Sequence, residues 1–217
     1  MKSYRIILAS NSPRRRELLK GLDLDFEIKT LAGVDEVYPS ELPAAEVAEF
    51  LATLKAGSYL PSLKENELLI TADTIVCLDG QIFGKPQDNA DAKQMLQTLS
   101  GRTHQVMTGV CLMTHEKKTS FTVTSDVTFA ELEEPEIDYY IEKYKPYDKA
   151  GAYGVQEWIG YVAVKHINGS YYNVMGLPIH RLYEEMKKIQ APSDFPEGGE
   201  QAGVSSFPPL EGSGDAK

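Results

Sequence analysis

The most constraining feature of this sequence is an apolar run at residues 68–76 (LLITADTIV) that carries a carboxylate in its middle. A short run rich in Leu, Ile and Val is typical of a buried strand. Burying a charge is unfavourable unless the charge is paired or bound to a metal. Asp73 is therefore a candidate general base for water or a candidate ligand of Mg²⁺. An outward-facing Asp73 on a half-exposed strand is the alternative, which Thr71 and Thr74 keep open.

Helical and strand-like patterns alternate along the rest of the chain. We predict strands at 4–9, 26–30, 68–76, 103–114 and 119–131, and helices at 13–21, 43–57, about 88–100, 135–144 and 179–189. Asn168-Gly169, between 160–167 and 171–175, is typical of a β-hairpin. Because hairpins occur among alternating strands and helices, we expect an α/β (or α+β) fold with a mixed sheet and one core. Cys77 and Cys111 lack ligand spacing and are predicted to be buried free thiols.

The composition changes at residue 190. From 190 to 217, Pro, Gly, Ser and acidic residues dominate, and such segments bury too little apolar surface to fold. We therefore expect one domain over 1–189 and a disordered acidic tail over 190–217. The N-terminus lacks the order of a signal peptide and no run is long enough to span a membrane, so a cytoplasmic protein is expected.

The charge balance makes one basic cluster stand out. Lys and Arg total 22 and Asp and Glu total 32, which gives a net charge of −10 and argues against non-specific nucleic-acid binding. The densest basic cluster is residues 10–16 (SNSPRRR), where a predicted strand meets a predicted helix. Helix N-termini attract anions and arginine can bind phosphate through two donors. The hydroxyls of Ser10 and Ser12 and the three arginines at 14–16 are therefore candidate phosphate ligands, and a capped surface helix with solvated arginines is an equal alternative.

Two further segments could contribute to a site. In FGKP, glycine and proline could hold Lys85 towards a phosphate, although a surface turn is the commoner origin of such a segment. Residues 148–156 (DKAGAYGVQ) combine two glycines with Gln156, which offers both a donor and an acceptor, as base recognition needs. A plain connecting loop is the alternative, and the residues alone leave both open.

Taken together, these segments resemble the Maf family of nucleoside triphosphate pyrophosphatases. The shared segments, in order between residues 4 and 189, are SNSPRRRELL, LITADTIV, FGKP, LSGRTHQVMTGV, YKPYDKAGAYGVQ and ING…VMGLP. The resemblance implies a fold similar to that of inosine triphosphate pyrophosphatases, with a mixed twisted sheet, flanking helices and two lobes around a central cleft. It also implies hydrolysis of nucleoside triphosphates to the monophosphate and pyrophosphate, a divalent metal cation (Mg²⁺ or Mn²⁺) and a homodimer.

The resemblance further assigns roles to individual residues. It matches the family's catalytic Asp to Asp73, and it makes Glu36 and Asp73 the metal ligands. The basic residues on the phosphate side are Arg14, Arg15, Lys55 and Lys85. Members that act on dTTP and UTP carry Arg, Thr and Gln at three positions, which are Arg14, Thr74 and Gln156 here. We expect Thr74 and Gln156 to contact the pyrimidine.

Two other classes of function stay open. The chain could be a nucleotide-binding regulator of cell division or septum formation with little catalysis, which nucleotide binding without pyrophosphate release would favour. It could also bind RNA through the arginine cluster. The net charge of −10 and the absence of a basic and aromatic stripe argue against RNA.

Overall fold

The computed structural model describes residues 3–31 and 36–196. The strands are β1 (Arg5–Leu8), β2 (Phe26–Ile28), β3 (Glu67–Leu78), β4 (Gln81–Phe83), β5 (Thr103–Met113), β6 (Lys118–Phe129) and β7 (Val164–Asn168). The α-helices are α1 (Pro13–Lys20), α2 (Ala44–Tyr59), α3 (Asn89–Leu99), α4 (Glu134–Tyr144), α5 (Trp158–Val162), α6 (Tyr171–Met175) and α7 (Ile179–Lys187). Short 3₁₀ turns occur at Leu60–Ser62, Ala150–Ala152 and Pro192–Asp194.

All the described strands belong to one mixed sheet, in the order β2-β1-β3-β5-β6-β7, with β4 also beside β3. The β2, β1 and β3 strands are parallel, and the remaining pairs are antiparallel. Helix α2 packs on one face, whereas α1, α7, α3 and α4 supply buried side chains to clusters on the other face. The predicted α/β class with a mixed sheet and flanking helices is therefore confirmed.

Strand pairing is interrupted along one edge of β3. On that edge β1 pairs with residues 67–70 and β4 pairs with residues 76–78, so no described strand pairs with residues 71–75 there. The opposite edge of β3 is paired continuously with β5. Two apolar clusters lie on either side of this gap, one beneath β1, α1 and α7 and the other beneath β4, α3 and α4. The gap thus separates two lobes of one sheet.

Local sequence signals explain where α1 and α3 begin. The Ser12 hydroxyl accepts a hydrogen bond from the backbone N–H of Arg15, and Pro13 occupies the first turn of α1, where its missing N–H costs nothing. The Asp88 carboxylate caps α3 by accepting from the backbone N–H of Asp91. Both caps lie where the helices predicted at 13–21 and about 88–100 begin.

The predicted hairpin at Asn168-Gly169 is wrong. Only the strand before the turn forms, because α5 and α6 are helices where strands were expected. The Ser170 hydroxyl accepts from the backbone N–H of Asn173, and Gly176 ends α6 with a φ of 108°. The Asn173 side chain is buried and donates to a β5 carbonyl and a β6 hydroxyl, which fixes the helix on the sheet. Capping and this tertiary contact override the turn signal.

The packed chain continues past the predicted domain boundary at residue 189. Gln190 is 1 % exposed, and its side-chain oxygen accepts from the backbone N–H of Tyr4 at 3.0 Å. Phe195 is buried, with its ring centroid 5.1 Å from that of Tyr183. Packed residues therefore extend at least to Phe195, and the part of the predicted tail at 197–217 lies outside the described residues.

Other sequence-based expectations concern the cysteines and the membrane. Cys77 and Cys111 are buried and free, as predicted, and burial raises the pKa of the Cys111 thiol to about 11. The helices found within 3–31 and 36–196 are all too short or too polar to cross a bilayer.

Glu67, at the start of β3, is a fully buried carboxylate that joins three segments. Its Oε1 accepts from Arg5 Nη2 at 2.6 Å and from Lys29 Nζ at 2.7 Å, and its Oε2 accepts from the backbone N–H of Lys64 at 3.1 Å. Burial alone would raise the pKa of Glu67, but the hydrogen bonds from Lys29 and Arg5 outweigh it and lower the pKa to about 2. The folded state therefore favours the ionised carboxylate.

We expect Glu67→Gln to lower the free energy of unfolding at pH 7 by about 1–2 kcal/mol, because it removes hydrogen bonds to charged groups. A folded-state pKa below the unfolded value gives stability that is present above the unfolded pKa and is lost as the pH falls. The difference between wild type and variant should therefore shrink between pH 4.5 and about 2. Urea unfolding across this range measures it.

The matched control is Glu65→Gln, which removes an exposed carboxylate two residues earlier. We expect it to change stability by less than about 0.5 kcal/mol at any of these pH values. If the difference in free energy of unfolding between wild type and Glu67→Gln stayed constant down to pH 2, Glu67 would not be the ionised, hydrogen-bonded group described here.

Candidate functional site

A cleft of about 670 Å³ opens along the unpaired stretch of β3. Its walls come from the β1–α1 connection, α2, the end of β4 and the 148–156 loop. All the residues singled out as candidate ligands or catalytic groups line this one cleft: Ser10, Arg14, Arg15, Glu36, Lys55, Asp73, Thr74, Lys85 and Gln156. Segments far apart in sequence therefore converge where the sheet edge is open.

Asp73 and Thr74 point to opposite faces of the sheet, because successive strand residues alternate. Asp73 Oδ1 contacts Lys55 of α2, whereas Thr74 Oγ1 accepts from Arg15 of α1. Each wall of the cleft therefore receives one polar side chain from the centre of β3.

The α2 side holds two carboxylates around one ammonium. Lys55 Nζ lies 2.5 Å from Asp73 Oδ1 and 2.9 Å from Glu36 Oε1. The Lys55 and Asp73 side chains are only 16 % and 13 % exposed, which weakens solvent screening of this pair. Burial raises the pKa of Glu36, but the hydrogen bond and charge of Lys55, together with the charges of Lys85 and Arg15, outweigh it and lower the pKa. Glu36 is therefore ionised at neutral pH.

A glycine in β5 brings Lys55 close to Asp73. Gly109 lies directly opposite Asp73 in the β3–β5 pair, so β5 has no side chain at this position on the face of the sheet where Asp73 lies. A Cβ at Gly109 would lie 2.2 Å from the backbone carbon of Ala48 in α2. The helix can therefore pack directly on the sheet backbone, which places Lys55, two turns further along α2, against Asp73.

The two arginines of α1 are held differently. Arg15 Nε donates to the Gly176 carbonyl at 2.8 Å, and its Nη2 donates to Thr74 Oγ1 at 3.0 Å. Arg14 Nη1 pairs with Asp148 Oδ2 at 2.9 Å. Arg15 is thus fixed by neutral oxygens, whereas Arg14 reaches a carboxylate on the loop across the cleft.

Asp148 and Lys149 line the cleft, although the sequence analysis named only the segment that contains them. Lys149 is a buried lysine whose Nζ lies 2.7 Å from Asp148 Oδ1 and 3.0 Å from Glu157 Oε1. Burial raises the pKa of Asp148, but hydrogen bonds from Lys149 and Arg14 outweigh it and lower the pKa. Adjacent opposite charges before a glycine-rich run were the available signal for this pair.

The 148–156 loop presents Gln156 to the cleft. Its side-chain Oε1 is buried and has no hydrogen-bond partner among the residues that the structure describes. The loop is tied to the end of β4, because the Gly151 N–H donates to the Gly84 carbonyl at 3.0 Å, next to Lys85. An amide oxygen that is buried without a partner costs free energy unless a ligand or water supplies a donor.

The carboxylates of Glu36 and Asp73 are of the type that binds a divalent cation, provided that a bound phosphate supplies further oxygens. The Glu36 and Asp73 carboxylates already contact one ammonium, and carboxylate oxygens are preferred by Mg²⁺ and Mn²⁺. Within 3–31 and 36–196 no group of three or more His, Cys, Asp or Glu side chains could hold a metal ion. Among the described residues these two carboxylates could serve as ligands, and the oxygens of a phosphate would suit further positions.

The fold and this geometry define a class of protein: an α/β protein with a sheet-edge cleft where arginines and lysines surround a few carboxylates. A family model described as Maf-like protein matches residues 5–189. The chain therefore belongs to the Maf-like family, and the expected family membership is confirmed.

Curated relatives match over a similar length. A dTTP/UTP pyrophosphatase of Phocaeicola vulgatus is 58 % identical over 189 residues, which are 87 % of this chain and 98 % of the relative. A dTTP/UTP pyrophosphatase of Bacteroides thetaiotaomicron gives the same values. A solved structure of a HAM1 protein from Coxiella burnetii is 16 % identical, with a TM-score of 0.45 over 85 % of this chain and 99 % of the other.

We expect Gly109→Ala to destabilise the protein, because the added methyl group would overlap the backbone of α2. Overpacking of this kind costs about 1–3 kcal/mol, measured as the free energy of unfolding in urea. Gly57→Ala is the matched control, since Gly57 lies on the exposed side of α2 with no atom near the added Cβ. It should stabilise the helix by about 0.5–1 kcal/mol. Equal stability of both variants would exclude the close approach of α2 to β5.

Proposed function

We propose that this protein hydrolyses dTTP and UTP to the nucleoside monophosphate and pyrophosphate. The observation that carries this proposal is at the centre of the cleft, where Lys55 contacts both Asp73 and Glu36. Further arginines and lysines line the cleft around these three residues. The chain has a net charge of −10, yet basic side chains cluster here around two carboxylates. Basic side chains suit a triphosphate, and the carboxylates suit a divalent metal. The names of the relatives supply the choice of substrate.

The triphosphate would lie between the two walls. The N-terminus of α1, with the Ser10 hydroxyl and Arg15, is suited to phosphate oxygens on one side. Lys55 and Lys85 lie across the opening and would neutralise charge on the departing pyrophosphate. Arg14 would join them by exchanging its contact with Asp148 for one with phosphate.

In the chemical step, water forms a bond to the α-phosphorus while the bond from that phosphorus to the bridging oxygen of the β-phosphate breaks. Asp73 accepts the proton that the water loses, and pyrophosphate leaves with the bridging oxygen. Lys55, in contact with Asp73, holds the carboxylate in place and opposes the growing negative charge. Positioning and electrostatics of this type supply most of the catalysis of phosphoryl transfer.

Glu36 and Asp73 would hold the divalent metal cation. When bound, the cation would neutralise phosphate charge and favour attack by water. Lys55 would then lose some of its contacts with Glu36 and Asp73, because its ammonium group and a divalent cation compete for the same carboxylate oxygens.

Gln156 would contact the base. Uracil and thymine share an N–H donor flanked by two carbonyl acceptors, and an amide offers a complementary acceptor and donor. The buried, unpartnered Oε1 of Gln156 suits such a donor. The glycine-rich loop that carries Gln156 also lines the cleft through Gly154, so the base would lie beside this loop.

The first test is pyrophosphate release from a panel of nucleoside triphosphates, with and without Mg²⁺, by wild type and Asp73→Asn. We expect metal-dependent release from dTTP and UTP, and a loss of about 10²–10⁴-fold in kcat in the variant, because amide nitrogen and oxygen cannot take the proton. Asp138→Asn, on the exposed side of α4, is the control for removal of one carboxylate and should keep the wild-type rate.

Each alternative outcome has a defined meaning. Release of orthophosphate would place the cleavage at another bond. Near-normal rates in Asp73→Asn would remove Asp73 from the chemical step. Nucleotide binding without any release would favour the binding regulator over the enzyme.

Gln156→Glu tests base contact. A carboxylate lacks the donor and repels a base carbonyl, so we expect kcat/KM for UTP and dTTP to fall by about 10–100-fold, more than for other nucleotides. Unfolding temperatures of wild type and variant should agree within a few degrees. Gln81→Glu adds the same charge at an exposed position of β4 outside the cleft and should change neither property. An unaltered order of base preference in Gln156→Glu would exclude the contact.

A further inference from the structure

The turn that presents Gln156 to the cleft is fastened at both ends to one buried hydroxyl. The Glu157 N–H donates to the Gly154 carbonyl at 2.9 Å, which closes a turn with Val155 and Gln156 at its centre. Tyr140 of α4 is fully buried, and its hydroxyl oxygen accepts from the backbone N–H of Gly154 at 3.0 Å. The same hydroxyl donates to the Glu157 carboxylate. Both ends of the turn are therefore bound to α4 through a single atom.

The chemistry of the groups fixes the direction of these bonds. A backbone N–H only donates, so the Tyr140 oxygen accepts from Gly154, and its single proton goes to Glu157 Oε2. Burial, followed by the hydrogen bond to Glu157, raises the pKa of Tyr140, so the phenol keeps this proton at neutral pH. The other carboxylate oxygen of Glu157 lies 3.0 Å from Lys149 Nζ. Each oxygen of Glu157 therefore has its own donor.

Two glycines allow the turn to pack closely against its surroundings. A Cβ at Gly154 would lie 3.0 Å from the carboxyl carbon of Glu157 and 3.0 Å from Cε of Lys149. A Cβ at Gly160, in α5, would lie 1.7 Å from the Val155 carbonyl oxygen. The backbone of the turn is therefore in direct contact with α5 as well as hydrogen-bonded to α4.

The turn carries a side chain whose proposed role depends on its position. Gln156 lines the cleft, and its buried Oε1 has no partner among the residues that the structure describes. Tyr140 and Glu157 do not line the cleft. Discrimination between bases requires a donor to meet an acceptor at the edge of the ring, and a displacement of about 1 Å can cost a hundredfold in rate.

We infer that Tyr140 and Glu157 are positioning residues that hold Gln156 in place for recognition of the base. The inference rests on the proposed function for its substrate class, a nucleoside triphosphate that carries uracil or thymine. Because neither side chain lines the cleft, both act on the base only through the turn. The groups proposed to bind the triphosphate lie on other segments, so loss of the Tyr140 hydroxyl affects discrimination between bases and leaves phosphate binding intact.

The test compares Tyr140→Phe, which keeps the ring and removes the hydroxyl, with Glu157→Ala, which removes the acceptor at the other end of the turn. Glu157→Gln restores an oxygen that can accept from Tyr140. The control is Tyr144→Phe, because Tyr144 lies one turn further along α4, stacks on Tyr140 with ring centroids 5.1 Å apart and does not line the cleft.

The variants are assayed for pyrophosphate release from UTP, dTTP and CTP. Calorimetry measures binding of inorganic tripolyphosphate, which has no base, and of α,β-methylene-UTP, whose carbon bridge prevents cleavage between the α- and β-phosphates. Free energies of unfolding in urea are measured for every variant.

We expect Tyr140→Phe and Glu157→Ala each to lower the ratio of kcat/KM for UTP to that for CTP by about tenfold, and to weaken α,β-methylene-UTP binding by about tenfold. Tripolyphosphate binds to Tyr140→Phe as it does to the wild type. Glu157→Gln keeps most of the wild-type ratio, and Tyr144→Phe keeps all of it. In a Gln156→Ala background, Tyr140→Phe lowers the ratio no further, because it acts through Gln156.

Two results would overturn the inference. One is a wild-type UTP to CTP ratio in both Tyr140→Phe and Glu157→Ala with a lower free energy of unfolding, which would make these hydrogen bonds purely structural. The other is a further fall of the ratio when Tyr140→Phe is added to Gln156→Ala. If Tyr140→Phe does not fold, Glu157→Ala decides the question, since that side chain is 19 % exposed.

Binding of α,β-methylene-UTP needs no turnover, so it separates this inference from the proposed function. An absence of pyrophosphate release from any nucleotide would reject the proposed function. Weaker binding of α,β-methylene-UTP to Tyr140→Phe, with tripolyphosphate affinity unchanged, would still support the positioning of Gln156. Equal binding of α,β-methylene-UTP to the wild type, Tyr140→Phe and Glu157→Ala would reject the inference.

Discussion

The interruption of strand pairing along β3 is the constraint on which the site depends. β1 ends because Ser12 and Pro13 begin α1, and the turn after β3 returns only the three residues of β4. Residues 71–75 therefore have a strand on one edge and the cleft on the other. Unpaired backbone groups at a sheet edge need water or a ligand as partner. The central strand β3 thus provides the floor of the site, with Asp73 on it 9 % exposed.

Because side chains alternate along β3, the neighbours Asp73 and Thr74 contact different walls of the cleft. Asp73 faces α2, which approaches closely because Gly109 has no side chain, and Thr74 faces α1 and α6. The two walls therefore meet the same strand from opposite faces. A shift of β3 by one residue relative to β5 would move Asp73 away from Gly109 and exchange the two faces. The long β3–β5 pairing is thus what fixes the relation between the acidic centre and Arg15.

Sequence reasoning found the parts of this arrangement that have a local signature. The carboxylate in the apolar run, the capped arginine cluster and the glycine-rich loop each carry such a signal, and the order of most helices and strands follows from periodicity. The failed hairpin at residues 168–169 shows the limit, because Ser170 capping and the buried Asn173 amide decide that segment. The contact between Thr74 and Thr108 gave no signal either, since it depends on which β5 residue lies opposite Thr74.

The cleft balances its charges in two different ways. Lys55, Arg14 and Lys149 are each held by carboxylates of the chain, which limits repulsion among cations that lie close together. A polyanion that binds these groups exchanges one ion pair for another, so the net gain is the difference between the two. Among the described residues Arg15 is held by neutral oxygens alone and gives up no ion pair. A phosphate that contacted Arg15 would therefore displace no ion pair there, unlike one that contacted Lys55, Arg14 or Lys149.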